Sequence, residues 1–449
     1  MTAGERRATL GLAGVYGFRM LGLFLILPVF ALFAESLPGA TPFLTGLAVG
    51  IYGLTQALLQ VPFGLLSDRI GRKPVIFGGL VLFAIGSVIA ATAHDVWLVI
   101  LGRAIQGSGA IAAAVMALAA DLTREENRTK AMATIGLTIG ASFMLAMLVG
   151  PLLARLVGVS GIFWLTALLA LVGIGLVALV VPTPLSSRVH RDAEPVPAMF
   201  RRVLGNGDLL RLDFGIFSLH LILTALFLAV PLILRDLGLE PVRHTMVYLP
   251  VMIGAVATMV PFVIIAERHA KMKPVFLGAV TVLFIAQLAL GAMSGHFWGF
   301  VFALWLFFAA FNLLEATLPS LVSKVAPVDA KGTAMGVYST SQFAGAFCGG
   351  LVGGWVHQHF GLAAVFTAGA LVAFAWVLAA SGMKRPGRYA SRLVDIAALR
   401  SQVDLVERLR QVPGVVEAVV VADEGVAYLK VDRDLLDDMA LDEIVARPA

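Results

Sequence analysis

Apolar runs of nearly uniform length follow one another from residue 8 to residue 381, separated by short charged or Pro/Gly-rich breaks. A helix needs about 20 mostly apolar residues to cross a bilayer. The pattern therefore predicts twelve spans, at 8–34, 43–66, 74–93, 97–120, 131–154, 161–181, 212–234, 245–266, 273–293, 297–321, 332–356 and 361–381. An all-α membrane protein is expected over this region. After Lys384-Arg385-Pro386-Gly387 the pattern changes to short alternating stretches of a soluble kind.

Composition agrees, since 59% hydrophobic and 14% charged residues do not suit a soluble domain. Lys and Arg crowd into alternate loops: Arg69, Arg72, Lys73, Arg124, Arg128, Lys130, Arg268, Lys271, Lys273, Lys324 and Lys331 fall on one side, with Arg155, Arg235 and Arg243 on the other. By the positive-inside bias both termini are expected in the cytoplasm. The pI near 9.5 then reflects topology and contact with anionic lipid, without a nucleic-acid partner. The first apolar run is too long for a signal peptide and reads as the first span. Cys348 is the single cysteine, which excludes an intramolecular disulfide.

The chain repeats itself. Pro62, Phe63, Asp68 and Arg69 recur as Pro261, Phe262, Glu267 and Arg268, and Lys73-Pro74-Val75 recurs as Lys273-Pro274-Val275. Residues 1–181 and 212–381 are expected to be two six-helix halves joined by a proline-bearing cytoplasmic linker, 182–211. A second linker, 382–391, leads to a domain at 392–449 holding 12 acidic and 7 basic residues, net −5. Its expected order is a strand at 392–396, a helix at 398–411, a hairpin of strands 415–422 and 426–431, and a helix at 435–445. Such a βαββα order predicts a small α+β ferredoxin-like domain. Without Cys or His it is not expected to bind a soft metal. Its acidity beneath a basic face makes it a candidate for intramolecular docking, against the alternative of a solvated acidic surface.

Between the second and third spans lies Gly64-Leu65-Leu66-Ser67-Asp68-Arg69-Ile70-Gly71-Arg72-Lys73. This loop resembles the signature of the major facilitator superfamily. Arg103-Ala104-Ile105-Gln106-Gly107-Ser108-Gly109 resembles the superfamily's fourth-helix motif, and Leu21-Gly22 with Pro28-Val29 resembles the first-helix motif of its drug:proton antiporters. The fifth-helix motif is partial: Gly150-Pro151 is present, with Ala146 and Ala154 where glycine is usual. With Gly4-Glu5-Arg6-Arg7, the segments 121–132 and 331–342, and the acidic tail, the whole chain resembles bacterial inner-membrane transporters that carry a C-terminal ferredoxin-like domain. That resemblance implies a switch in which Asp68 engages the start of the eleventh helix at Gly332 and Thr333 in the outward-open state, and in which Arg72 pairs with Asp121.

Ionisable residues well inside a span are few, and such groups mark ion or substrate pathways. Arg19, Arg103 and Glu315 qualify, with His220 as a neutral or charged fourth. Glu315 is the leading candidate proton carrier; its structural alternative is a hydrogen bond to a neighbouring helix through Asn312 or Gln342. Arg103 either attracts an anionic group or pins backbone carbonyls. Gln56, Gln60 and Gln106 are uncharged candidates for the same pathway. No nucleophile with a base, metal-ligand spacing or phosphate-binding loop is evident, so neither an enzyme nor a cofactor is expected. The expectation is a monomeric secondary transporter, coupling protons to efflux of small amphipathic molecules. A proton-coupled importer and a membrane sensor acting through the tail are the alternatives.

Overall fold

The computed structural model describes residues 1–184, 196–269, 271–384, 389–396, 404–421, 425–432 and 435–446. Helices come in the order the hydropathy predicts, with sharper ends. Helix α1 (Ala3–Phe24) opens on a capping box: Thr2 Oγ1 accepts from Glu5 N at 3.2 Å while Glu5 accepts from Thr2 N at 2.6 Å. The first span does not run unbroken to residue 34. It passes through turns around Pro28 and resumes as α2 (Phe30–Ala34), because proline supplies no N–H to the ladder.

Helix α3 (Pro42–Ile70) is capped by Thr41, and α4 (Arg72–Ala91) follows after a single residue. That residue, Gly71, has φ +97°, a conformation costly for any side chain, so the motif loop can turn this tightly only with glycine here. The fourth span is two pieces, α5 (Val96–Ser108) and α6 (Ala112–Asp121), interrupted at Gly109. The fifth and sixth are two helices that meet without a loop at Gly158, whose backbone is non-helical with φ +70°, and they are labelled together as α7 (Glu125–Leu179).

A short helix, α8 (Phe200–Leu204), lies in the linker, whose residues 185–195 are outside the described set. Then come α9 (Gly207–Asp236), α10 (Thr245–Arg268), α11 (Met272–Ala292), α12 (Phe297–Val325), α13 (Lys331–Phe360) and α14 (Leu362–Ser381). Among the described residues nine helical segments are long and apolar enough to cross a membrane, α7 counting as one of them. Helices α1 and α13 fall outside that set; α13 is diluted by its glycines and polar residues.

Residues 1–181 pack as one bundle, with α1 against α7, and α4 against α5 and α7; the second bundle sets α9 against α13 and α14, and α11 against α12 and α14. The repeated lysines explain themselves structurally. Lys73 Nζ donates to Val181 O at 2.6 Å, and Lys273 Nζ donates to Ser381 O at 3.1 Å and Met383 O at 2.5 Å. Each cation thus caps the C-terminal end of the last helix in its bundle, where the carbonyls lack intrahelical partners.

The tail holds β1 (Tyr389–Asp395), α15 (Leu405–Gln411), β2 (Val415–Val421), β3 (Val426–Asp432) and α16 (Asp438–Ala446). The sheet order is β1-β3-β2, antiparallel throughout, with Tyr389 opposite Asp432 and Val421 opposite Val426. Most of the expected helix start, 397–403, lies outside the described residues. Along β3 the side chains alternate. Ala427, Leu429 and Val431 join Leu405, Leu409 and Leu441 in the core, while Tyr428 points the other way.

Candidate functional site

A cavity of about 420 Å³ lies between the two bundles, the size of a small-molecule site. Its walls are mostly apolar: Leu23, Phe24, Val49, Met116, Met132 and Met335 contribute from five helices. Polar groups are few and divided by bundle. Arg103 and Gln60 line it from the first bundle, and His220, Glu315 and Gln342 from the second.

On the second bundle, Gln342 ties the acid and the imidazole together. Its Nε2 lies 3.4 Å from Glu315 Oε1 and 2.8 Å from His220 Nε2, and His220 Nε2 is 4.0 Å from Glu315 Oε2. Three helices, α9, α12 and α13, therefore converge on one polar cluster. Among the described residues Glu315 Oε2 has no hydrogen-bond partner. Asn312 sits outside the cavity lining, its buried Nδ2 without a partner among the described residues.

On the first bundle the two arginines are held differently from each other. Arg103 Nη1 donates to Gln106 Oε1 at 2.8 Å and Nε to Ala48 O at 3.4 Å, and its guanidinium lies 4.9 Å from the Tyr52 ring centroid. Gln106 Nε2 in turn reaches Ser87 Oγ at 2.7 Å. Arg19 is sealed inside the bundle and does not line the cavity: Nη2 donates to Gln56 Oε1 at 2.6 Å and Gly109 O at 3.0 Å, under Phe83 at 5.5 Å. The Gly109 break between α5 and α6 frees the carbonyl that Arg19 binds. Gln56 continues to Gln60 at 3.3 Å, so Arg19 reaches the cavity wall only through two amides.

The start of α1, bonded to Arg124, and the loop at Ala326 that receives Lys430 of the tail lie at one end of the bundles, the terminal face. At the opposite face the bundles are shut. Gly46 and Gly50 of α3 meet Gly350, Phe347 and Gly354 of α13 backbone to backbone; a Cβ on Gly50 would stand 2.8 Å from Phe347 O. Glu35 and Arg235 form an ion pair across the same end, and Thr245 Oγ1 donates to Leu148 O at 3.0 Å. Beyond Glu315, Phe143 of α7 packs on Phe227, Phe308 and Phe311 at centroid distances of 6.2, 6.3 and 6.0 Å, plugging the cavity on that side. Toward the terminal face the lining continues down to Gln60, Val61, Met132, Pro319 and Gly332.

The motif loop bonds within its own bundle. Asp68 pairs with Arg72, which also donates to Ser67 Oγ at 2.8 Å and to Asp121 Oδ2 at 3.4 Å. The structure does not bring Asp68 to Gly332 or Thr333; Thr333 Oγ1 instead accepts from Val196 N at 2.8 Å. Arg69 is exposed and Lys73 serves as the cap described above. The loop's counterpart in the second bundle is a smaller network, Glu267 with Lys324 at 2.9 Å and Ser320 at 3.0 Å. Gly150 and Pro151 lie on α7 where α1 breaks: a Cβ on Gly150 would sit 2.9 Å from Leu25 O and Pro28 Cγ.

Several groups escaped the sequence reading. Tyr52 precedes Gln56 and Gln60 by four and eight residues, one helical face, so its place beside both arginines follows a readable period. Glu5 accepts from Arg124 N at 3.0 Å, Arg124 Nε at 3.1 Å and Asn127 Nδ2 at 3.2 Å. The Arg124 side chain, then its backbone N–H, hold the Glu5 carboxyl well below the usual carboxylate range. Arg202 of α8 bonds Asp329 at 2.9 and 3.0 Å and Glu417 of β2 at 3.0 Å. Lys430 Nζ donates to Ala326 O at 3.3 Å, and Val328 packs with Val421 and Tyr428. Burial against this loop pushes the Lys430 ammonium pKa down.

Two helical bundles enclose a mostly apolar cavity with a few polar groups, shut at one end, an architecture that suits a membrane carrier. The Major Facilitator Superfamily model matches residues 12–268 and 212–419, and the chain belongs to that superfamily of transporters. It is 48% identical over 446 residues to the inner membrane transport protein YajR of Escherichia coli strain K12, covering 99% of this chain and 98% of that one. To the multidrug resistance protein MdtH of Yersinia pestis it is 22% identical, over 76% of this chain and 84% of MdtH. The crystal structure of the human organic anion transporter MFSD10 (TETRAN) superposes with a TM-score of 0.63 at 20% identity, covering 84% and 100% of the two chains, a likeness of fold.

Proposed function

We propose that this chain is a proton-coupled exporter of small amphipathic molecules in a bacterial inner membrane. Twelve spans form two six-helix halves that rock about the cavity, both termini lie in the cytoplasm, and the C-terminal ferredoxin-like domain rests on the cytoplasmic face of a monomer. In this reading the terminal face is cytoplasmic and the structure stands inward-open. The likeness to the inner membrane transport protein YajR supports transport at the inner membrane, and that to the multidrug resistance protein MdtH supports drug-like substrates.

The observation that carries the reading is the division of the cavity. Apolar walls suit the body of an amphipath, while Glu315, held by Gln342 beside His220, offers a proton site facing the same space. Substrate and proton then compete for one cavity, which is what antiport requires. Proteoliposomes carrying a pH gradient and an amphipathic fluorescent dye test it: the native chain should couple dye movement to proton movement, and Glu315→Gln should abolish coupling while leaving dye exchange. Equal coupling in the two chains would remove Glu315 from the mechanism. The direction of the pH change on adding solute separates export from import.

A second reading, a sensor acting through the tail, draws on one observation, the Arg202 bridge joining linker, Asp329 loop and Glu417. No flux across a broad solute panel, together with ligand-dependent release of the tail, would favour it.

A further inference from the structure

The first bundle keeps two cations in its interior and no anion. Every acid among residues 1–181 stands in a loop or in the first or last turn of a helix, whereas Arg19 and Arg103 lie well inside their spans, each 1% exposed. Their hydrogen-bond partners are all neutral: Gln56 Oε1 and Gly109 O for Arg19, Gln106 Oε1 and Ala48 O for Arg103. Amide dipoles solvate a guanidinium without cancelling its charge, and a buried cation without a counter-charge is costly. The two charges are also neighbours, since their guanidinium carbons lie 5.8 and 4.9 Å from the same Tyr52 ring centroid. Each raises the cost of the other. Glu315, across the cavity, forms no ion pair with either among the described residues; its contacts are Gln342 and His220.

This unbalanced charge meets the cavity at one place. Arg103 and Tyr52 both line it. Arg103 uses Nε on Ala48 and Nη1 on Gln106, while its Nη2 has no hydrogen bond among the described residues. Arg19 stands beside Tyr52 and out of the lining, so it acts on an occupant of the cavity through its field, which an apolar surrounding screens little. The same wall continues as Tyr16, Met20, Leu23 and Val49, an apolar surface without an acid.

We propose that Arg103 and Tyr52, backed by Arg19, form a site for one monovalent anion, either the carboxylate head of an amphipathic substrate or a chloride ion. Nη2 of Arg103 donates to the anion, Tyr52 holds both guanidiniums at its ring, and an apolar body lies along Met20, Leu23 and Val49. Its use in transport rests on the carrier reading above, although the binding itself needs no proton. With the carboxylate as occupant, the substrate class narrows from amphipaths in general to amphipathic anions.

The test uses the full chain in lipid nanodiscs at fixed pH and ionic strength, with gluconate replacing chloride and empty nanodiscs as background. Three fluorescent alkyl probes differ only in the head: a carboxylate, its methyl ester and a trimethylammonium. The native chain should bind the carboxylate roughly tenfold or more tighter than the ester, as a charge-assisted hydrogen bond in a dry site requires. Arg103→Gln should bind the two alike, and Arg103→Lys, which keeps the charge, should retain part of the preference. Chloride has its own readout: against gluconate it should raise the melting temperature of the native chain and not that of Arg103→Gln. Probe preference without a chloride effect assigns the site to a substrate head, and a chloride effect without probe preference assigns it to a counter-ion. Chloride that displaces the carboxylate probe shows one site open to both. Equal binding of the three probes together with indifference to chloride overturns the proposal on the native chain alone, whether or not a variant folds. Tightest binding of the trimethylammonium probe overturns the carboxylate as occupant. Glu315→Gln should keep the carboxylate preference, so a failure of proton coupling and a failure of this site are read separately.

Discussion

Glu35, in the loop after the first span, pairs with Arg235 at the end of α9, one residue from each half of the molecule. The pair closes the face opposite the terminal one and must break whenever that face opens. Both side chains are substantially exposed, so the contact contributes about 0.2 to 1 kcal/mol. Glu35→Gln should move the population toward the state open at that face by up to roughly fivefold, read as a longer distance between spin labels at positions 38 and 238. An unchanged distance distribution would leave the Phe143 cluster and the glycine seam as the whole closure.

Asp68→Asn should act in the opposite sense. In the alternate state the carboxylate is expected at the N-terminus of α13, a placement worth about 0.3 to 1 kcal/mol and up to about 2 when partly buried. Losing it favours the state seen here, so labelling of cysteines placed at the opposite face should fall. Undiminished labelling would count against the latch.

Gly350→Val should be severe. Its Cβ would meet Gly46 O and come within 2.9 Å of the Gly50 backbone, and backbone cannot swing aside as a side chain can. The halves should fail to shut, with transport lost while the protein remains folded and monodisperse in size-exclusion chromatography.

Glu5 sets an acid limit on one terminal contact. Because its folded pKa is depressed, its contribution is present above the ordinary carboxylate range, near pH 4.5, and is lost as pH falls through the folded value. Melting temperatures of the native chain and Glu5→Gln should therefore differ at neutral pH and converge in strong acid. Parallel curves would mean that Arg124 contributes nothing through this group.

Arg202→Ala should loosen the tail, since one guanidinium serves both Asp329 and Glu417. Hydrogen exchange in β2 and at the 326–330 loop should rise together. A rise confined to β2 would show that Val328 and Tyr428 hold the loop without it.

Much of the architecture could be read from hydropathy, because lipid permits few solutions to backbone hydrogen bonding. The exceptions were local: Pro28 and Gly109 interrupt helices within apolar runs, where hydropathy has no contrast to report. The cavity was partly readable. Glu315, His220 and Arg103 stand out as charges in hydrocarbon and do line it, whereas Arg19 has the same sequence signature and lies sealed behind Gln56. Which buried charge faces a cavity depends on helix rotation, and strongly apolar helices show little periodicity to set it. Pairs such as Glu35 with Arg235 or Arg202 with Glu417 join residues 200 and 215 apart, beyond any local pattern.

The glycines where α3 meets α13 leave one consequence. A joint made of bare main chain has no interlocking knobs to lift out of their sockets, so parting it forfeits little dispersion energy and little side-chain order. That end of the protein can therefore be a tight seal when shut and still open without a large barrier, a combination that bulky residues at the same positions could not provide.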